Sequence, residues 1–147
     1  MEELVLGDMM EAAQTAALVR VNAISRRFGL SLAPEECARL LRRRTEALRE
    51  TERIEFGEGV LPKLALALCD SPYVERETWE QTLGEMLSLF YHFKGACRER
   101  LGDDELIAAM TVLFNGYAGG CPQRLADLDG AAMLRFAEMR HVEDGDV

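Results

Sequence analysis

The stretch Trp79-Glu80-Gln81-Thr82-Leu83-Gly84-Glu85-Met86-Leu87-Ser88-Leu89-Phe90-Tyr91-His92-Phe93-Lys94-Gly95-Ala96-Cys97 decides the fold. Its apolar residues at 79, 83, 86, 90, 93 and 97 keep a 4-3-4-3-4 rhythm, the repeat of a single helix face. The pattern predicts a long helix over about 75–101. Thr78 and Gln81 resemble a capping box that would allow a start as late as 79, and Gly102 supplies the stop.

Helical spacing continues on both sides. Val60, Leu61, Leu64, Ala65, Leu66, Ala67 and Leu68 predict a helix over about 60–69 that is apolar all round and so belongs in the middle of the fold. Gly57-Glu58-Gly59 precedes it and Asp70-Ser71-Pro72 breaks it. Upstream, Pro34, Glu35 and Glu36 open a helix over about 34–52 whose inner face holds Cys37, Leu40, Leu41, Ala47 and Leu48. The first helix is expected over about 8–28, capped by Asp8 and stopped by Gly29. Its inward stripe is Met10, Ala13, Ala17, Val21, Ile24 and Phe28, while its other side carries Ala12, Ala16, Val19 and Ala23. Downstream, helices are expected over about 103–115, 122–128 and 130–141. The only alternating segment, Arg53–Phe56, cannot make a sheet alone. The fold class is therefore all-α: an irregular bundle of five or six helices around 60–69 and 75–101, in one domain over 1–147 with acidic, mobile ends at 1–7 and 142–147.

At 147 residues and 48% hydrophobic, the chain is long enough to bury a core without a disulfide or metal. No apolar run approaches the ~20 residues of a membrane span, and an acidic Met1-Glu2-Glu3 start is unlike a signal peptide. The expectation is a cytoplasmic protein with no membrane contact. The net charge of −9 sits at the ends: residues 12–140 hold all 17 basic and 19 of the 26 acidic residues. Such a body has no long-range field for phosphate, so nucleic acid is not an expected partner. Cys37, Cys69, Cys97 and Cys121 lie far apart with no C-x-x-C and no histidine at ligand spacing. Four free thiols are expected, with no metal and no cofactor.

Five segments carry a resemblance. They are Arg53-Ile54-Glu55-Phe56-Gly57, Leu61-Pro62-Lys63-Leu64, Cys69-Asp70-Ser71-Pro72-Tyr73, Tyr91-His92-Phe93-Lys94 and Asp103-Asp104-Glu105-Leu106-Ile107. Together they resemble a family of small uncharacterised bacterial proteins, over about residues 20–130. The resemblance implies a single bacterial domain and, since that family has no assigned activity, no mechanism.

Two features invite a functional reading. Arg39, Arg42, Arg43, Arg44, Arg49 and Arg53 form a basic series, but six glutamates share residues 34–55 with it. Pairs such as Glu35–Arg39 and Glu46–Arg42, Glu46–Arg43 and Glu46–Arg49 sit at helix-pair spacing, which predicts a self-paired face. Arg44 falls between Leu41 and Leu48 on the inner side, where it must find a carboxylate, Glu55 or Asp70. The second feature is the polar pair of breaks around helix 60–69. Arg53, Glu55, Lys63, Asp70 and Tyr73 are the candidate ligand-binding residues there, against the alternative that they only shape turns and cap helix ends. His92 is expected to turn to solvent, and Asp103 and Asp104 to complement a helix dipole. No nucleophile–base pair and no phosphate loop is found. The first expectation is thus a non-catalytic interaction or regulatory module whose partner is another protein or a second copy of itself. The alternative is a small-ligand domain or enzyme with its pocket around 53–73.

Overall fold

The computed structural model describes residues 2–55 and 57–145, and of residues 2–11 and 141–145 the backbone only. Seven α-helices follow one another: α1 (Glu2–Ser25), α2 (Pro34–Glu50), α3 (Leu61–Leu68), α4 (Trp79–Ala96), α5 (Asp103–Asn115), α6 (Pro122–Ala126) and α7 (Gly130–Gly145). No strand occurs among the described residues. The fold is all-α; the seven helices fall in the seven segments expected from spacing, α6 among them, and so exceed the five or six expected for the bundle.

Helix α4 is the axis. It lies against α2, α3, α5, α6 and α7, while α1 lies against α2 and α3. Trp79, Leu83, Met86, Phe90, Phe93 and Cys97 are all buried, as their rhythm requires. Helix α4 starts at Trp79, the late start that the sequence allows, but without the expected cap, and it ends early. Thr78 makes no side-chain cap; its hydroxyl donates back to the Glu75 carbonyl at 3.5 Å, and a 3-10 turn at Arg76–Thr78 leads into the helix. The C-terminus comes at Ala96, well short of Gly102, because Arg98 and Glu99 take left-handed φ of 54° and 61°. That reversal is held by the Glu99 N–H on the Lys94 carbonyl (3.0 Å) and by Lys94 Nζ on the Leu101 carbonyl (2.8 Å). A long side chain thus ends the helix where glycine was expected to.

Helix α3 is less enclosed than its composition suggests. Leu61, Leu64, Ala65 and Leu68 are buried between α1 and the α4–α5 pair, but Lys63 and Leu66 face solvent.

Helix α1 departs furthest. It begins at Glu2, so Asp8 lies inside it and does not cap it. Its buried face is Gln14, Ala17, Leu18, Val21, Asn22 and Ser25. Ala13, Ile24 and Phe28, expected inward, are exposed, and the side chain of Met10 lies outside the described residues. The reason is polar. Asn22 both donates to the Leu32 carbonyl and accepts from its N–H, each at 2.9 Å, and Ser25 donates to the Leu30 carbonyl at 2.8 Å. These bonds satisfy buried backbone of the 29–33 turn, and they rotate α1 so that part of its apolar surface faces outward. Gly29, in a left-handed φ of 78°, stops the helix as expected.

The phase of α4 is testable by paired substitutions. Phe93→Ala should cost about 3–5 kcal/mol in denaturant unfolding, whereas His92→Ala, one residue away and exposed, should stay within about 0.5 kcal/mol. Equal losses would place the seam elsewhere.

Candidate functional site

The inner face of α2 carries one charge among its apolar residues, Arg44, and it is buried. Arg44 Nε lies 2.5 Å from Glu55 Oε1, and a second guanidinium nitrogen donates to Gln14 Oε1 at 3.2 Å. The other carboxylate oxygen of Glu55 accepts from the Tyr91 hydroxyl on α4. One buried cluster therefore ties α1, α2 and α4 to the loop after α2. Of the two carboxylates expected for Arg44, Glu55 is the partner and Asp70 is exposed.

The loop is shaped to deliver that carboxylate. Gly59 sits at φ 77°, and a Cβ there would overlap the Glu55 carboxylate. Only glycine combines this backbone with this approach. Burial and the bond to Glu55 push the Tyr91 phenol far above its ordinary range, so it stays a donor.

Beside the cluster lies a cavity of about 460 Å³. Arg53, Glu55 and Lys63, three of the five residues expected from sequence, line it. Asp70 and Tyr73 lie elsewhere. Tyr73 sits over Gly120, and its N–H donates to Ser71 Oγ at 3.2 Å. Ser71 in turn donates to Asn115 at 2.5 Å, so this break joins α3 to the end of α5. The cavity is completed by residues not foreseen as site residues: Tyr91, Lys94 and Asp103, with Phe90, Val60 and Pro62 as apolar wall. The signal for Tyr91 and Lys94 lay in their position on α4 next to Phe90. Four of the five segments that carry the family resemblance converge here, and the Cys69–Tyr73 segment does not.

Ion pairs around the cavity run between elements. Arg53 pairs with Glu99, Lys63 Nζ with Asp104 at 3.0 Å, Lys94 Nζ with Asp103 at 2.8 Å and Arg20 with Glu58. Arg39 grips Glu80 of α4 with contacts of 2.6 and 3.0 Å. The self-paired face expected along α2 is not formed; no ion pair within α2 occurs among the described residues. Arg39 instead finds Glu80 on α4, and Arg42, Arg43 and Arg49 make no ion pair among the described residues. Asp103 and Asp104 open α5 as expected and additionally hold two lysines.

Little else suggests chemistry. His92 is exposed. All four cysteines are free, and burial pushes the thiols of Cys37, Cys69 and Cys97 up, away from thiolate. Among the described residues no group of His, Cys, Asp or Glu is placed to hold a metal, and no helix is long and apolar enough to cross a membrane. A second cavity, of about 440 Å³, lies where α1 turns into α2 and is lined by none of the expected residues.

The chain belongs to DUF6323, a family of unknown function, whose model matches residues 17–143. No curated protein and no solved structure matches it.

The state of Tyr91 has a pH signature. Its proton is retained in the fold and lost in the unfolded chain near pH 10. The stability it contributes is complete below that pH and declines above it, by at most about 1.4 kcal/mol per pH unit. Alkaline unfolding should therefore be steeper in the wild type than in Tyr91→Phe. The difference in phenolate absorbance between them should rise only as helical circular dichroism is lost. A phenolate step that precedes unfolding would contradict the buried bond.

Proposed function

We propose that the protein acts without catalysis, as an interaction module, through the outer face of α1, and that this face binds a second copy of the chain. The observation that supports the reading is the apolar surface that α1 leaves outward. Its buried face mixes Gln14, Asn22 and Ser25 with Ala17, Leu18 and Val21, while Ala12, Ala16, Val19, Ala23 and Ile24, with Phe28 of the turn that follows, point outward beside Arg20, Val19 with 56% of its surface exposed. A helix apolar on its solvent side is usually covered.

The pattern favours a copy of itself. Ala12, Ala16, Val19 and Ala23 are spaced 4-3-4, which is a helix–helix seam. Reversed about its midpoint, the seam maps onto itself: Ala12 falls opposite Ala23, and Ala16 opposite Val19. An antiparallel pair of these seams is self-complementary, as a two-fold interface requires. The four free thiols fit a reducing, cytoplasmic setting.

Light scattering on a size-exclusion column tests this. The wild-type chain of 16.5 kDa should elute at twice that mass. Val19→Glu should elute as a monomer with unchanged helical circular dichroism, and Val112→Glu, on exposed α5 surface, should remain a dimer. A monomeric wild type, or a Val19→Glu dimer, would overturn the reading.

A further inference from the structure

We infer that the cavity beside Arg44, Glu55 and Tyr91 is a binding site for a small organic anion with an apolar body. Its volume of about 460 Å³ falls in the range of small-molecule sites. The class of guest follows from which charges are already answered.

Three carboxylates line the cavity, and each is spoken for. Glu55 is held by Arg44 and Tyr91, Glu58 by Arg20 and Asp103 by Lys94. Three cations line it too, but two of them, Arg53 and Lys63, take their partners Glu99 and Asp104 from beyond the lining. The pairs are also unequal in depth. Arg53 is 22% exposed and Glu99 56%; Lys94 is 14% exposed and Asp103 46%. In each pair the cation sits deeper and the carboxylate hangs in solvent. A solvated carboxylate holds such a cation weakly and can be exchanged for another. A guest anion entering the cavity replaces Glu99 on Arg53 with a carboxylate or similar group in a drier place, where a forked guanidinium bond is stronger.

A bare inorganic ion would leave the rest of the wall unused. Leu48 and Ile54 expose apolar surface beside the cations, with Val60, Pro62 and Phe90 buried behind them. An aromatic or aliphatic carboxylate satisfies both halves of the lining; a neutral molecule of the same shape satisfies one.

Benzoate, with neutral benzamide and inorganic phosphate as comparisons, tests this in amide NMR titrations of the full chain. Benzoate at up to about 20 mM should shift resonances of residues 53–63 and 90–94 and saturate, while benzamide should bind at least about tenfold more weakly. Phosphate should also bind more weakly than benzoate, because it leaves the apolar wall bare. Arg53→Gln should weaken benzoate by about tenfold, and Lys63→Gln, on exposed surface, by about threefold. Should Arg53→Gln disturb the spectrum by itself, Lys63→Gln decides. Equal binding of benzamide, shifts confined to other regions, phosphate binding as tightly as benzoate, or no saturable shift would each overturn the inference.

Discussion

A guanidinium on the inner face of α2 is the constraint from which the rest follows. Arg44 sits among Cys37, Leu40, Leu41 and Ala47, where an unanswered charge would be costly. Glu55 answers it, and to reach that place the chain after α2 must fold back over α2 and α4. Gly59 makes room for the carboxylate, and Tyr91 and Gln14 each add one hydrogen bond to the pair. One electrostatic requirement thereby sets the path of a loop, and the path of that loop forms the wall of a cavity.

The same economy appears at the C-terminus of α4. Lys94 ends the helix by reaching the Leu101 carbonyl and also lines the cavity. Glu99, in a left-handed conformation, is the partner of Arg53. The turn after α4 and the loop after α2 are therefore tied by an ion pair whose carboxylate is solvated, the pair that the inferred guest anion opens.

Much of the fold was legible because apolar rhythm is strong in α2, α4 and α5. The burial of all six α4 residues follows from spacing alone, and the bounds of α5 follow from the acids at 103–105 that open it and the Asn115-Gly116 that closes it. Arg44 was legible as a buried charge for the same reason, and Glu55 was one of the two carboxylates, with Asp70, expected to answer it. The face of α1 was not legible. Ala, Val, Ile and Leu lie all round that helix, so periodicity left its rotation undetermined, and the two hydrogen bonds between Asn22 and the Leu32 backbone settled it. Arg39 was misassigned to Glu35 because sequence spacing shows partners along a helix and hides those across it, here Glu80. Lys94 and Asp103 joined Arg53, Glu55 and Lys63 through the left-handed turn at Arg98 and Glu99, a conformation that no glycine announced. Asp70 and Tyr73 were grouped with them by closeness to α3, but they flank its opposite end.

A double-mutant cycle on Arg44 and Glu55 tests the central claim most directly. If the buried pair organises this region, Glu55→Leu alone should cost about 3–5 kcal/mol of stability, since it strands the guanidinium, and Arg44→Met with Glu55→Leu together should cost less than Glu55→Leu alone. Additive losses, or a Glu55→Leu variant within about 0.5 kcal/mol of the wild type, would show that the fold does not depend on this pair.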